Sequence, residues 1–317
     1  MTILVTGASG FVGRRLAAAL AAERPGETLV CWGHEPDGGL VAQGARWRSV
    51  DLTDAAAADR AIREDRPDRV FHLAALSSVG QAHVEAGATY DANVGGTLNL
   101  AKSIAAHAPG ARIVFASTGE VYGRAFLDGV VTEATRPEPG NAYARSKLAA
   151  EFILRDVLAP VGSVVALRLL NHTGPAQDER FVVPAFAAQV ARIEAGKSPP
   201  SLSVGNLDAE RDFIDADDAV DAYLKTLEMD GPDSGYAVYN VASGRPRRIA
   251  SIVDRLQALS SVPFAVEIDP ARLRPSDIPR TECDTSAFRV RTGWAPERDF
   301  DDTIAAVLDW WREQVQR

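Results

Sequence analysis

The feature that most constrains the fold is a short apolar run at the N-terminus that leads directly into regularly spaced glycines. Residues 2–6 are apolar or β-branched, and Gly7, Gly10 and Gly13 follow at the start of an Ala-rich helical stretch. Gly7 would permit a tight turn, Gly10 the approach of a pyrophosphate and Gly13 close packing of helix on strand. The helix N-terminus adds unpaired N–H groups for phosphate oxygens. The sequence therefore predicts a dinucleotide site, the alternative being a glycine turn without a ligand.

Short β-branched runs alternate with helical stretches over the first two-thirds of the chain. We predict strands at 2–6, 28–32, 69–74, 111–116 and 163–169, and helices at 11–22, 54–64, 91–107 and 141–158. Strands separated by helices form parallel βαβ units, so we expect an α/β fold with a Rossmann-type doubly wound parallel sheet. Turn clusters become frequent after residue 170. We therefore expect a cofactor-binding domain over 1–170 and a smaller C-terminal substrate lobe over 171–317, with some segments returning to the main sheet.

Composition excludes several classes of function. The formal net charge of −9 argues against nucleic acid as the main partner of these 317 residues. Cys31 and Cys283 cannot make a disulfide framework, and no cysteine pair has metal-ligand spacing, so we expect no metal. No apolar run approaches the roughly 20 residues of a membrane helix, and no signal-like segment precedes the first strand. We expect a cytoplasmic protein without a membrane partner.

A phenol and an ammonium share one face of the predicted helix 141–158. Tyr143 and Lys147 are four residues apart, and residues at that spacing are neighbours on a helix. A tyrosine with a pKa near 10 is a poor acid–base catalyst at neutral pH. We expect Lys147, together with an oxidised nicotinamide, to lower that pKa. Lys147 would also hold the nicotinamide ribose.

The predicted strand before that helix ends in hydroxyl side chains. Ser117 and Thr118 close it, and the carboxyl end of a strand is where an open α/β sheet binds its ligand. Thr118 could hydrogen-bond a substrate carbonyl while Tyr143 exchanges the proton; the alternative is a Ser/Thr-rich turn without chemistry. Tyr122 has no lysine four residues later, so we interpret it as a packing residue.

These motifs together resemble the nucleotide-sugar branch of the extended short-chain dehydrogenase/reductase family. The phosphate loop, Ser-Thr-x-Glu-Val-Tyr-Gly over 117–123 and Tyr-x-x-x-Lys carry the resemblance. Residues 168–175, 181–184, 205–213 and 274–277 are similar to segments of the enzymes that act on GDP-sugars. Within that group the chain most resembles the GDP-4-keto-6-deoxy-D-mannose reductases, whose sister group is the GDP-mannose 4,6-dehydratases. The resemblance extends to the C-terminal helix and implies catalysis with NAD(P).

The resemblance also implies which residues bind the cofactor. Asp51 would lie against the adenine, although an Asp there could also be a helix cap. His72 is interpreted as a core histidine, followed by small residues that let the backbone run beneath the cofactor. The residues expected to bind the cofactor are Gly7, Ser9, Gly10, Phe11, Val12, Gly13, His34, Asp51, Leu52, Leu73, Ala74, Ala75, Asn93, Ser117, Tyr143, Lys147 and Leu170.

The sequence leaves the choice between NAD and NADP open. An acidic residue at the end of the second strand would bind the ribose 2′-hydroxyl, and a basic residue would accept a 2′-phosphate. Residues 31–35 read Cys-Trp-Gly-His-Glu and fit neither pattern cleanly. Arg14 and Arg15 could reach a 2′-phosphate or could be solvated helix residues. We favour NADP.

For the substrate, the resemblance implies a GDP-sugar site in the second lobe. Arginine forks suit phosphate oxygens, although each arginine could instead pair with an acidic residue. The residues expected to bind the substrate are Ser77, Thr118, Glu120, Tyr143, Asn171, Val182, Val183, Arg211 and Arg274. The apolar helices 94–106 and 148–158 could pair in a homodimer, as is common in this family, or belong to the core.

The presence of Glu120 is compatible with two reactions, reduction and dehydration of the sugar. In the sister dehydratases, a glutamate at this place takes a proton from C5 of the sugar. The basic cluster that those enzymes carry after Asn-His is missing here, where residues 173–179 read Thr-Gly-Pro-Ala-Gln-Asp-Glu. We therefore expect a reductase, with Glu120 as a tentative catalytic residue that contacts or positions the sugar. The alternatives are a 4,6-dehydratase or 4-epimerase with tightly bound cofactor, and a non-catalytic NAD(P)-binding protein.

Overall fold

The computed structural model describes residues 1–35, 42–232, 235–273 and 278–316. Arg274, one of the residues expected to bind the substrate, lies outside these described residues. The strands that they form are β1 Thr2–Thr6, β2 Thr28–Gly33, β3 Arg46–Ser49, β4 Arg69–His72, β5 Arg112–Thr118, β6 Ser163–Leu169, β7 Asn171–Thr173, β8 Ser201–Val204, β9 Glu210–Arg211, β10 Phe213–Asp215, β11 Tyr236–Val241, β12 Arg247–Arg248 and β13 Ala265–Ile268.

The helices include the four that the periodicity of the sequence predicts. They are α1 Phe11–Glu23, α2 Ala55–Asp65, α3 Val79–Val84, α4 Ala86–Tyr90, α5 Gly96–His107, α6 Ala142–Val157, α7 Val182–Glu194, α8 Ala216–Lys225, α9 Ile249–Leu259, α10 Ser286–Thr292 and α11 Phe300–Gln316. The helix predicted over 91–107 begins earlier than expected. Its first part is α4, and a π-helical turn over Asp91–Gly95 joins α4 to α5.

Seven strands form one parallel sheet in the order β3-β2-β1-β4-β5-β6-β11. The chain builds outward from β1 in one direction and then returns to add β4 and the later strands on the other side. The order therefore reverses between β1 and β4, and ligands of open α/β sheets bind at such a switch point. The predicted α/β, doubly wound fold is confirmed.

Both faces of this sheet are buried, as a parallel sheet covered by helices requires. Side chains alternate between the two faces of a strand, so Ile3 and Val5 pack in one core while Leu4 packs in the other. α1 and α8 contribute to the first core, and α2, α5 and α6 to the second. These two layers hold the carboxyl ends of β1, β4 and β5 rigidly at one edge.

The sequence analysis missed two strands of the main sheet, β3 and β11. β3 is an edge strand whose sequence, Arg-Trp-Arg-Ser, lacks the buried apolar pattern of its neighbours. Arg46 and Arg48 instead pair with the buried carboxylate of Asp65 on α2. β11 lies beyond residue 170 and pairs with β6, in agreement with the expectation that some late segments return to the main sheet.

A separate core forms the second lobe. It is built from α7, α9 and α11 with strands β8 and β10, and Val183, Phe213, Ile252 and Val307 are among its buried residues. The domain boundary near residue 170 stays a prediction. In the part of the chain that the structure describes, no helix is both long and apolar enough to cross a membrane.

Candidate active site

The glycine loop between β1 and α1 has the geometry of a phosphate cradle. Gly7 adopts a φ of +69°, and a Cβ there would lie 2.7 Å from the backbone nitrogen of Ala74. A Cβ on Gly13 would lie 2.1 Å from the carbonyl oxygen of Gly7. Gly10 begins α1 without a side-chain cap, and no acidic residue occupies the first turn. The residues present therefore fit a bound dinucleotide, because glycine allows the loop backbone to pack closely beside the uncapped N–H groups at the start of α1.

His72 is a core histidine, as expected. It is 1% exposed and lies between the hydroxyls of Thr6, 2.8 Å from Nδ1, and Thr97, 2.9 Å from Nε2. Burial lowers its pKa to about 3, so the ring is neutral at physiological pH. Leu73 and Ala74 follow it and donate their backbone N–H groups to Thr6, which draws this segment beside Gly7.

The end of β2 carries a carboxylate beside the phosphate loop. The Ser9 hydroxyl lowers the pKa of Glu35, and the nearby charge of Arg14 acts in the same direction. Arg15 is engaged elsewhere: it lies 3.2 Å from Asp217 and donates to the carbonyl of Pro175. The suggestion that Arg15 reaches a 2′-phosphate is therefore not supported, whereas Arg14 is exposed on the loop side of α1.

Asp54, and not Asp51, is the residue that caps α2. Its carboxylate accepts from the backbone N–H groups of Ala56 and Ala57. The alternative role of Asp51 as a helix cap is therefore excluded; its carboxylate accepts from the N–H and hydroxyl of Thr53. Asp51 is exposed and follows the buried edge of the sheet, where an adenine could lie against it.

Other residues expected to bind the cofactor lie around the same edge of the sheet. Phe11 opens α1 and stacks on His172 with ring centroids 6.3 Å apart, and Val12 packs against the first core. His34 is exposed at the end of β2 and accepts a hydrogen bond from Ser49 through its carbonyl. The remaining members are Leu52, which is 8% exposed, the partly buried Ala75, and Leu170, which is 9% exposed.

Asn93 has a different place from the one expected. Its side-chain amide accepts from the N–H of Leu76 at 2.8 Å and donates to the carbonyl of Leu76 at 3.1 Å. The same nitrogen donates to the Ser146 hydroxyl at 2.9 Å. Since Asn93 is 2% exposed and its amide is occupied, it ties the loop after β4 to α6 rather than facing a cofactor directly.

The central pair of the site is Thr118 and Tyr143. Thr118 is the last residue of β5, and Tyr143 lies in the first turn of α6, which Asn141 caps by accepting from the N–H of Ala144 at 2.8 Å. The Thr118 hydroxyl lies near enough to the phenol of Tyr143 to lower its pKa. The structure therefore brings the two predicted catalytic hydroxyls together at the carboxyl edge of the sheet.

Burial, not Lys147, dominates the acidity of the phenol. It raises the pKa of Tyr143 to about 12, because a phenolate loses its hydration away from water. The Thr118 hydroxyl lowers that pKa and the charge of Glu120 raises it. The lowered pKa expected from the sequence is therefore wrong for the protein chain by itself. The phenol keeps its proton at neutral pH, as a proton donor must.

Lys147 is enclosed beneath the phenol, one helical turn further along α6. It is 3% exposed, and its Nζ lies 4.1 Å from the centre of the Phe115 ring. Burial lowers the pKa of Lys147 to about 7, while the carboxylate of Glu151 raises it. The ammonium is thus close to its titration point at neutral pH.

The sequence analysis missed a buried ion pair behind the site. Arg168 on β6 donates to both oxygens of Glu151 on α6, from Nε at 2.9 Å and from Nη2 at 2.6 Å. The Ser117 hydroxyl also donates to Glu151, so its side chain serves this pair and not the cofactor site predicted for it. Tyr122 is fully buried against Arg168 and donates to Asn240 at 2.7 Å, which confirms it as a packing residue.

Glu120 follows Thr118 in a 3₁₀ turn over Gly119–Tyr122 and stays close to the catalytic pair. Its N–H donates to the Thr118 hydroxyl at 3.2 Å, and its Oε2 accepts from Asn141 at 3.3 Å. The carboxylate thus braces the N-terminus of α6 against the end of β5.

The residues expected to bind the sugar diphosphate lie on two short strand pairs. Asn171 on β7 donates its side-chain amide to the carbonyl of Asp212 at 3.0 Å, and Arg211 donates to the carbonyl of Glu210 at 2.9 Å. Asp212 is a connection that the sequence analysis missed: its buried carboxylate accepts from the backbone N–H groups of residues 243–245. Burial raises the pKa of Asp212, although these hydrogen bonds oppose that shift.

The remaining residues expected to bind the substrate differ in how far they are exposed. Ser77 is exposed in the loop after β4, and Val182 is partly buried at the start of α7. The side chain of Val183 is 1% exposed and packs in the core of the second lobe. The expectation of a substrate contact from that side chain is therefore wrong, because helical periodicity turns it inward.

Comparisons with known proteins agree with this geometry. A family model described as GDP-mannose 4,6 dehydratase matches residues 4–307. GDP-6-deoxy-D-mannose reductase from Pseudomonas aeruginosa is 33% identical over 321 residues, covering 99% of this chain and 98% of the relative. RMD from Pseudomonas aeruginosa complexed with NADPH has a TM-score of 0.83 and 31% identity, covering 99% of each chain. UDP-glucose 4-epimerase from Bifidobacterium longum in complex with NAD+ and UDP has a TM-score of 0.84 and 26% identity, again covering 99% of each chain.

The fold and the site define an NAD(P)-dependent enzyme of the extended short-chain dehydrogenase/reductase type. The chain belongs to the GDP-mannose 4,6-dehydratase family, which confirms the resemblance drawn from its motifs. Its relatives include a reductase of a GDP-sugar and epimerases of UDP-sugars.

Proposed function

We propose that this enzyme reduces the C4 ketone of a GDP-linked 4-keto-6-deoxy-hexose with NAD(P)H, in the biosynthesis of a GDP-6-deoxyhexose such as GDP-rhamnose. The observation that carries the proposal is the proximity of Thr118, at the end of β5, to Tyr143 on α6, with the buried Lys147 one helical turn further along. The full-length similarity to a GDP-6-deoxy-D-mannose reductase supports the reaction and the base. A homodimer and a cytoplasmic location remain predictions.

In this proposal the chain's own residues supply the proton and the polarisation. The Thr118 hydroxyl donates to the ketone oxygen, and Tyr143 transfers its proton to the same oxygen as it becomes an alkoxide. Lys147, as an ammonium, stabilises the phenolate that is left and holds ribose hydroxyls. When bound, the reduced nicotinamide supplies the hydride to C4. The raised pKa of Tyr143 suits this direction, because the phenol is fully protonated before the reaction.

The contacts of Glu120 favour a positioning role over an elimination role. Its carboxylate is engaged by Asn141, and its backbone holds Thr118. We infer that Glu120 orients the catalytic pair or a sugar hydroxyl. A 4,6-dehydratase or 4-epimerase would need no external reductant, because it returns the hydride within each cycle.

The test is incubation of purified protein with GDP-4-keto-6-deoxymannose and NADPH or NADH. Loss of the reduced-nicotinamide absorbance and NMR of the sugar product are followed together. The proposal expects one cofactor oxidised for each ketone reduced. If the sugar is converted without added cofactor, or without net oxidation of NAD(P)H, the reductase proposal is wrong and the dehydratase or epimerase alternative is favoured. Equal turnover of a UDP-linked substrate would overturn the guanine preference.

A further inference from the structure

We propose that Glu151 is a positioning residue of this active site, which places a fixed carboxylate beneath Lys147 and ties the end of β5 to α6. The proposal rests on the function proposed above, in which Lys147 works as an ammonium. Glu151 acts through Lys147 and Ser117 and has no contact with the reacting atoms in this account.

The carboxylate is held rigidly. Glu151 is 3% exposed and follows Lys147 by four residues on α6, so both side chains lie on the same buried face. Arg168 donates a hydrogen bond to each oxygen of Glu151. This bidentate geometry fixes the orientation of the carboxylate. The hydroxyl of Tyr236 lies 3.5 Å from Oε2 as a further donor.

The same carboxylate fixes the strand that carries the catalytic threonine. Ser117 donates its hydroxyl to Oε1 of Glu151, and the next residue is Thr118. The hydrogen bond therefore joins α6 to β5 one residue before the Thr118–Tyr143 contact. A shift of α6 along the sheet would break both connections together.

Charge is the second part of the proposal. The titratable groups around Lys147 are Glu151 and Tyr143 on its own helix and His72 from β4, with Arg168 from β6 behind Glu151. His72 and Tyr143 are both neutral near pH 7, since burial suppresses their charged forms. Glu151 is therefore the negative group that offsets the burial of the ammonium.

Fold stability alone does not account for this pair. A buried ion pair gives little net stability, because desolvation of both charges offsets their attraction. The cost is larger here, since Nη1 of Arg168 is buried without a hydrogen-bond partner. Replacing a buried ion pair by well-packed apolar residues is often neutral for stability, whereas only a charge can act electrostatically on Lys147.

The test uses NMR of the lysine side chains, which needs no substrate. The chain has four lysines, Lys102, Lys147, Lys197 and Lys225, so the signal of Lys147 is assigned by comparison with Lys147→Met. We expect its titration midpoint to move to lower pH in Glu151→Gln and in the double variant Glu151→Gln/Arg168→Met. The double variant removes Arg168 together with its partner, so no arginine stays buried without a counter-charge. It is measured in case the single variant does not fold. Tyr236→Phe, which removes a hydrogen bond to Glu151 but no charge, should keep the wild-type midpoint.

The pH profile of turnover gives the second readout. In the double variant, we expect the fall of kcat with rising pH to begin earlier, with about tenfold lower kcat at pH 8 and little change in KM. An unchanged lysine midpoint and an unchanged profile in a folded double variant would overturn the proposal and leave the pair purely structural. If wild-type protein does not reduce the GDP-sugar, the proposed function fails, and the lysine titration still decides the role of Glu151.

Discussion

The side-chain amide of Asn93 donates to the hydroxyl of Ser146 across 2.9 Å, linking the π-helical turn before α5 to the catalytic helix α6. The same amide pairs with the backbone N–H and carbonyl of Leu76. Ser146 lies between Tyr143 and Lys147 and donates to the Tyr143 carbonyl. The position of α6, which carries Tyr143 and Lys147, therefore depends on the hydrogen bonds of Asn93.

Replacing Asn93 by Ala should destabilise the protein by about 2–3 kcal/mol, because the buried backbone groups of Leu76 lose their partners. Denaturant unfolding measures this loss. Asn99→Ala is the matched control: Asn99 is partly buried and donates to the Leu52 carbonyl, so about 1 kcal/mol is expected. Equal losses for the two variants would contradict this account of Asn93.

Cofactor choice should respond to the carboxylate beside the phosphate loop. Glu35→Gln should shift the ratio of KM values for NADPH and NADH about tenfold toward NADPH, because a carboxylate repels a 2′-phosphate. Arg14→Ala should shift the same ratio toward NADH. Glu313→Gln changes an exposed carboxylate on α11 and should leave the ratio as in wild type. Unchanged ratios in both loop variants would place the ribose away from Ser9 and Glu35.

Acid stability should depend on His72. The pKa of His72 is about 3 in the folded protein against an ordinary 6.5, so between these values the unfolded chain binds a proton that the folded chain refuses. The stability from this group is fully present above pH 6.5 and is lost as the pH falls toward 3. His72→Gln should lower stability at pH 7 by about 1–2 kcal/mol and make the decline between pH 6 and 4 shallower. The control His83→Gln changes an exposed histidine and should keep the wild-type dependence of the free energy of unfolding on pH. If His72→Gln also keeps the wild-type dependence, this prediction is wrong.

Arg211 should act on substrate binding more than on chemistry. Removing a guanidinium from a diphosphate costs a charge-assisted hydrogen bond, so Arg211→Met should raise KM for the sugar nucleotide about tenfold or more with a smaller change in kcat. Arg211→Lys should recover part of the affinity, since it keeps the charge without the fork. Arg248→Met, on the neighbouring β12, removes an exposed ion pair with Asp208 and serves as control. Equal KM values for the two Met variants would remove Arg211 from the binding site.

Local patterns were sufficient to predict much of the fold and the placement of Tyr143 and Lys147 on one helix. The spacing of Gly7 and Gly13 and the four-residue separation of Tyr143 and Lys147 are short-range features, and the structure retains their geometry. β3 was missed because an edge strand with two arginines has no buried apolar period. Short-range ambiguity also explains why a cap was an alternative for Asp51, since Asp54 three residues later is an equally good helix cap and takes that role.

What the sequence could not supply comes from tertiary contacts. Glu151 and Arg168 are 17 residues apart on different elements, and no periodicity connects them. The position of Ser117 at the end of β5 predicts a cofactor contact, but its hydroxyl donates to Glu151, which is 34 residues away in sequence. Burial, which raises the pKa of Tyr143 in the protein chain by itself, is set by the packed structure and does not follow from the Lys147 spacing.

The most direct measurement is single-turnover reduction of GDP-4-keto-6-deoxymannose by wild-type protein and by Tyr143→Phe, each saturated with NADPH. We predict one NADPH oxidised per ketone in wild type, and a rate about 10²–10⁴-fold lower in the variant with NADPH affinity retained. A Tyr143→Phe protein that reduces the sugar at nearly the wild-type rate would contradict the central role of this phenol.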